Sequence, residues 1–330
     1  MTSRRSALAF LLVVLAVGCG SATKPAPPRT EGRSALPPPG KVSLRLGDQT
    51  PGTAIANKPS QPARPAAPPY DLAADLEQRK SEAVAELGSR TQTETVEGVF
   101  LVVAPGGRGG LAASIDITKR ALAAYFNGRF SRRPAKAISV FLFPDAGGYN
   151  HYCSKHWGEN CDSPYGFYLH EPRRIIMNVG LGIGTLTHEL VHPLVESDFP
   201  DAPDWINEGI ASLFEQFALP RPGEIRGGKN WRHPRLVRGL RSKRERGQAS
   251  LPALFGMSDE VFRGELEDLN YASARYFCQW LDQKDLLWPF YQAWRDGYAA
   301  DPTGEKAFVA VVGKTPAEAD AEWARWVQSL

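Results

Sequence analysis

The sequence is short of several things that would point to common functions. Its 330 residues carry a net charge of only +3, too little to argue for nucleic acid as a partner. No apolar run is long enough to cross a bilayer comfortably as a permanent helix. No internal repeat is evident, which sets solenoids and propellers aside. Cysteine numbers only four and histidine only six, so a cluster of either stands out. What remains is a globular composition, 42% hydrophobic and 23% charged, with chain enough to bury a full core in one or two domains.

The start, "MTSRRSALAFLLVVLAVGCGS", has the parts of a secretory signal. Arg4 and Arg5 form its positive end, and Ala7 to Val17 its short apolar stretch. It closes on "LAVGC", which resembles the lipobox of bacterial lipoproteins, although Ala16 stands where that pattern usually has Leu. The resemblance implies cleavage to leave Cys19 as a lipidated N-terminus, anchoring the protein to a cell-envelope membrane. An ordinary signal peptide with an incidental Cys is the alternative. Gly20 resembles the outer-membrane sorting pattern of hosts that have such a membrane. Residues 20–69 are rich in Pro, Ala and Ser and hold nearly half of the chain's 27 prolines. They cannot bury enough apolar surface to offset their ordering entropy and read as a disordered tether, with "KVSLRLGD" at most a stray strand. Outside the cytoplasm, Cys153 and Cys161 are spaced to close a short loop as a disulfide; Cys278, in an apolar helical pattern, reads as a buried thiol. Three free thiols are the alternative.

The folded part begins near Tyr70. "DLAADLEQRKSEAVAELGSR" reads as a helix, "VEGVFLVVAP" as a strand, "LAASIDITKRALAAYFNGRF" as a helix and "KAISVFLFPD" as a strand. A short helix around Tyr149–Lys155 follows, then strands "YGFYLHE" and "RRIIMNVG" joined through Pro172. After residue 200 the pattern is helical: "APDWINEGIASLFEQFAL", capped by Asp204, then Asn270–Gln283, Leu286–Tyr298, Thr303–Val312 and a last helix opened by the capping box "TPAE". Mixed segments followed by helices predict an α+β fold, with an α/β part at 70–200 and a helical part at 201–330.

Between the two parts lies "GTLTHELVHPLVESDF". Positions four apart share one face of a helix, so His188 and His192 can aim ring nitrogens at one ion. Glu189 then stands beside that ion, where it can take a proton from the attacking water. With six histidines, H-E-x-x-H arises by chance in roughly one such chain in a hundred. A catalytic zinc needs a third protein ligand and an open position. Asp198 fills the ligand slot of the compact metzincin spacing, but Val195 stands where that arrangement needs a turning Gly. Glu208, in "WINEGIASLFE", is better placed on the next helix. Pro193 removes the hydrogen bond to the Glu189 carbonyl and is expected to bend the helix just past the ligands.

At "HELVH" followed by "WINEGIA", the chain resembles the gluzincin zinc peptidases, most of all small peptidase MA-like domains. "YGFYLHEPRRIIMNVG", "YASARYFCQWL" and "AEADAEWARWVQSL" extend the likeness over roughly residues 95–330. The resemblance implies a zincin-like, thermolysin-like lobe with a mixed sheet. It implies Zn2+ held by His188, His192 and Glu208, with Glu189 as general base. It also implies "RIIMNVG" as the sheet edge for an extended peptide substrate, and a Tyr donating to the oxyanion, best matched by Tyr271 and less well by Tyr276. Asn207 and Trp205 read as support for the third-ligand helix. The alternatives are a non-catalytic envelope lipoprotein that keeps the fold for binding, and a structural zinc. The Arg- and Lys-dense segment 226–246 reads as a solvated face, or as a surface for an anionic envelope polymer. His151, His156 and His170 lie near no motif and read as structural.

Overall fold

The computed structural model describes residues 69–106, 111–161 and 163–330, all within one compact unit spanning 66–330. The signal segment, Cys19, most of the Pro-rich stretch and the stray strand lie outside the described residues.

The first half is a mixed five-stranded sheet with helices on both faces. In chain order it runs α1 (Leu72–Leu87), β1 (Gln92–Val96), β2 (Phe100–Ala104), α2 (Leu111–Phe126), β3 (Ile138–Phe143), α3 (Ala146–Trp157), β4 (Gly166–Leu169) and β5 (Arg174–Asn178). The spatial order is β1-β2-β3-β5-β4. β2, β3 and β5 are parallel, while β1 and β4 run antiparallel at the two edges. The central strands are apolar on both faces, as sheets covered on both sides require. Phe100, Val102, Val140, Leu142, Ile175 and Met177 face the core that continues into the helical half. Leu101, Val103, Phe141, Phe143 and Ile176 face a smaller core closed by Ala83 of α1 and Tyr149, Tyr152 and Cys153 of α3.

Two strand expectations need correction. "VEGVFLVVAP" is not one strand: Glu97 (φ 52°) and Gly98 (φ 74°) turn the chain, and the polar segment Gln92–Val96 pairs back on β2. An exposed edge needs only one apolar face, so its hydrophobic signal is weak. "RIIMNVG" is not the sheet edge either. β5 is hydrogen-bonded to β3 on one side and β4 on the other. The hairpin through the cis Glu171–Pro172 bond folds β4 outside it, so the edge on that side is Gly166–Leu169.

A short 3-10 turn at Val179–Leu181 leads into α4 (Gly184–Glu189) and α5 (Val191–Asp198). The second half follows: α6 (Asp204–Leu213), a two-stranded ribbon of β6 (Phe217–Ala218) and β7 (Arg226–Gly227), α7 (His233–Arg241), α8 (Leu251–Phe255), α9 (Asp259–Phe262), α10 (Glu267–Asp282), α11 (Leu287–Gly297), α12 (Glu305–Val312) and α13 (Pro316–Ser329). Asp204 does not cap α6. Pro203 holds the cap position, and the Asp204 carboxylate instead accepts from Arg263. The capping box on α13 forms, with Thr315 and Glu318 bonding each other's backbone N–H.

Candidate metal centre

The site is built where α4 and α5 meet α6. α4 starts at Gly184, which lies so close to the Glu215 carbonyl that a Cβ would collide with it. The Thr187 hydroxyl lies within hydrogen-bonding distance of the Gly184 and Phe214 carbonyls, at 2.8 and 2.7 Å, and buried Tyr125 donates to the Thr187 carbonyl at 2.9 Å. The turn carrying His188 and Glu189 is thereby tied to the end of α6 and to α2.

The helix then breaks at Leu190, between the two histidines and not past them as expected. Pro193 is the cause. Its ring crowds the carbonyl four residues back, so a proline disturbs the turn before it. That carbonyl is Glu189's. Leu190 keeps helical angles (φ −66°, ψ −23°), so the break is slight and both rings still reach one region. Donor atoms of His188, Glu189 and His192 all lie within 4.8 Å of one another. His192 Nε2 is 3.8 Å from Glu189 Oε2. Glu189 is buried, and the two histidine side chains are only 12% and 13% exposed.

Glu208 comes from α6. Trp205 pins the start of that helix, stacked on Trp294 at 5.2 Å and packed edge-on against Phe277. Gly209 lets α10 approach closely: a Cβ there would sit 2.9 Å from Cys278 Sγ and 3.0 Å from the Ala274 carbonyl. Glu208 Oε2 is buried and faces His188 Nε2 at 3.4 Å, an ion-pair contact without good hydrogen-bond geometry. The donor atoms that lie mutually within 4.8 Å are those of His188, Glu189 and His192, and Glu208 stands beside this cluster at ion-pair distance from His188. A buried carboxylate oxygen facing an imidazole nitrogen fits a cation.

The local field points the same way. Burial disfavours the His188 cation, but Glu208, Glu189 and Glu215 outweigh it and push its pKa up to about 9. Burial also disfavours the Glu208 anion, but His188, His192 and Arg263 hold its carboxyl well below the ordinary range.

Outer residues orient these groups, as metal sites require. His192 Nδ1 is 3.0 Å from Asn207 Oδ1, which leaves Nε2 for the cluster. His188 Nδ1 faces Glu215 Oε1 at 3.5 Å, an ion-pair contact without good hydrogen-bond geometry. Glu215 is in turn gripped by Arg232 at 2.8 and 3.0 Å and by Asn230 at 2.8 Å. Glu208 Oε1 accepts from Arg263 at 2.8 Å, and the Tyr271 hydroxyl accepts from the same guanidinium. Burial and the nearby Glu208 carboxylate raise the Tyr271 pKa well above its usual value. Glu215 and Arg263 were missed in the sequence. Neither had a signal: Glu215 lies in the turn past the end of α6, and Arg263 just past α9.

Other candidates stand elsewhere. Asp198 is fully buried and accepts from the Ser131 and Arg132 amides at 2.9 and 2.5 Å and from Arg295 at 2.8 Å. Tyr276 bonds Asn230. His156 pairs with Glu86, and the exposed His170 with Glu196. Cys153 and Cys161 form a disulfide, and Cys278 is a buried free thiol.

No family model matches the chain. No curated protein matches it either. The fold and motif therefore speak for themselves: a mixed sheet, a His-Glu-x-x-His helix and a mostly helical second half. The fold is zincin-like. The trio His188, Glu189 and His192 is compatible in geometry with Zn2+ and forms a zinc-peptidase-like cluster.

Proposed function

We propose that this chain is a zinc-dependent peptidase of gluzincin type, with His188, His192 and Glu208 holding the ion. The observation that carries this reading is the His188, Glu189 and His192 cluster, with donor atoms all within 4.8 Å of one another, and Glu208 Oε2 beside it at 3.4 Å from His188 Nε2. Bound zinc supplies Lewis acidity, polarising the scissile carbonyl and acidifying a water. Glu189 accepts the proton of the attacking water and passes it to the leaving amine. Tyr271 donates its hydroxyl hydrogen toward the developing oxyanion, its oxygen being already engaged by Arg263. An extended peptide pairs with the open edge of β4 by main-chain hydrogen bonds.

The lipoprotein signal at 1–19 and the tether at 20–69 belong to the same proposal: an enzyme anchored through Cys19 in the cell envelope and acting outside the cytoplasm. Among the described residues no helix is long and apolar enough to cross a membrane. The basic segment divides in two. Arg226, Arg232, Arg235 and Arg246 form ion pairs with acids of this chain. Arg238, Arg241, Lys243 and Arg244 are exposed and left to meet an anionic polymer, while exposed Lys229 donates to the Leu330 carbonyl.

The test is metal content and cleavage of a mixed peptide library by the purified full-length chain. Glu189→Gln is expected to keep zinc and lose turnover; Glu208→Ala is expected to lose zinc. A wild type that binds zinc yet cleaves nothing supports a non-catalytic envelope protein. Metal retained by Glu208→Ala and lost by Glu189→Gln makes Glu189 the third ligand.

A further inference from the structure

Arg263 touches more of the candidate centre than any role assigned so far explains. Its Nε donates to Asp204 Oδ2 at 2.8 Å, its Nη2 to Glu208 Oε1 at 2.8 Å, and its Nη1 to the Tyr271 hydroxyl. The side chain is 42% exposed, so core packing does not account for it. Its backbone is nonetheless firmly presented. Phe262 before it is buried and packs against Tyr271 in a tilted ring pair at 4.9 Å. Buried Asn270 donates to the Val261 and Phe262 carbonyls at 3.0 and 3.1 Å, and Asp259 accepts from the Asp204 amide at 2.8 Å. α9, the start of α6 and the start of α10 thus converge to hold one guanidinium.

A carboxylate can give a metal one oxygen or two. In this geometry the two oxygens of Glu208 are treated differently. Oε1 is committed to Arg263, and Oε2 faces His188 Nε2 at ion-pair distance. The Tyr271 oxygen accepts from the same guanidinium.

We propose that Arg263 is a positioning residue that restricts Glu208 to one metal-binding oxygen. The proposal rests on the zinc-site reading above. A catalytic zinc keeps one position open beyond three protein ligands. Without Arg263, Glu208 is free to rotate and offer both oxygens, filling the position the substrate needs. The planar fork of arginine spans three acceptors at fixed angles, which a lysine ammonium cannot reproduce.

The experiment uses the full-length chain, stripped of metal and titrated with Co2+, whose visible absorption reports coordination number. Zn2+ affinity is read in parallel by competition with a chelator. Wild type is expected to show the intense band of a four-coordinate ion. Arg263→Ala is expected to bind Zn2+ about 10- to 100-fold more weakly and to show a weakened, higher-coordinate cobalt band. Millimolar guanidinium is expected to restore both. Arg263→Lys, which keeps charge and stem, is expected to show the same altered band without guanidinium rescue, and decides the matter if Arg263→Ala fails to fold. Variants with wild-type cobalt spectra and wild-type Zn2+ affinity overturn the proposal while leaving the zinc reading intact. A wild type that binds neither metal overturns both.

Discussion

Replacing Asp198 by Ala separates a structural carboxylate from a metal ligand. Asp198 lies six residues beyond His192 and is fully buried. Its Oδ1 accepts from the Ser131 amide at 2.9 Å, the Arg132 amide at 2.5 Å and the Ser131 hydroxyl at 3.2 Å, while Oδ2 receives Arg295 at 2.8 Å. Removing the carboxylate leaves two backbone donors without their acceptor and takes one partner from a guanidinium that is only 8% exposed. Breaking a buried pair costs about 3–5 kcal/mol, and Arg295 keeps Asp296 as a second partner at 2.8 Å, which places the loss near 3 kcal/mol. For a unit of this size that corresponds to a fall in Tm of roughly 6–12 °C. The assay is thermal and urea unfolding of the metal-free chain, with Zn2+ binding measured on the same preparations below the transition. The expected result is a clear loss of stability with zinc affinity nearly intact. Zinc lost from Asp198→Ala at unchanged metal-free stability would refute the reasoning and return Asp198 to the ligand set.

Four further outcomes are expected. Glu189→Gln lowers kcat by about 10²–10⁴-fold with zinc stoichiometry unchanged, read by peptide hydrolysis and metal analysis. Glu215→Ala leaves His188 Nδ1 without its carboxylate and weakens Zn2+ binding by about 10- to 100-fold, read by chelator competition. Gly209→Ala drives a methyl into Cys278 Sγ and the Ala274 carbonyl and costs about 1–3 kcal/mol, read by urea unfolding; an unchanged midpoint would mean α6 and α10 are not so closely packed. Lys284 and Lys314 lower the Glu322 pKa from 4.5 to about 2. A carboxylate with a depressed folded pKa adds stability above its unfolded pKa and loses it as pH falls toward the folded value. The gap between wild type and Glu322→Gln, about 0.5 kcal/mol for an exposed, screened pair, should therefore be constant above pH 5 and vanish near pH 2.

The parts of this fold that were legible are those written locally. The His-Glu-x-x-His turn, the capping box on α13 and the apolar central strands each depend on neighbours a few residues away. Glu208 was legible as a candidate because "WINEG" places it on an apolar helix close behind the histidines. Arg263 and Glu215 acquire their roles only when α9 and the loop before α7 fold against α6, and no spacing records that. Strand order is similar: β5 looks like an edge in sequence, and only the return of β4 around Pro172 makes it interior. Pro193 was noticed, but its effect was placed downstream. The clash acts on the Glu189 carbonyl, so the break falls upstream, inside the motif. β1 was lost because Gln92, Thr93, Glu94 and Thr95 lack an apolar stripe.

The open strand β4 is only four residues long. In a strand, alternate residues turn their N–H and C=O groups outward, so such an edge offers roughly four main-chain hydrogen bonds. That is enough to hold a short extended segment in register. It is too few to zip a second copy of the chain onto the sheet, and short edges are one way folded proteins resist edge-to-edge aggregation. Lengthening β4 would strengthen its hold on extended peptides and expose the protein to self-association by the same contacts.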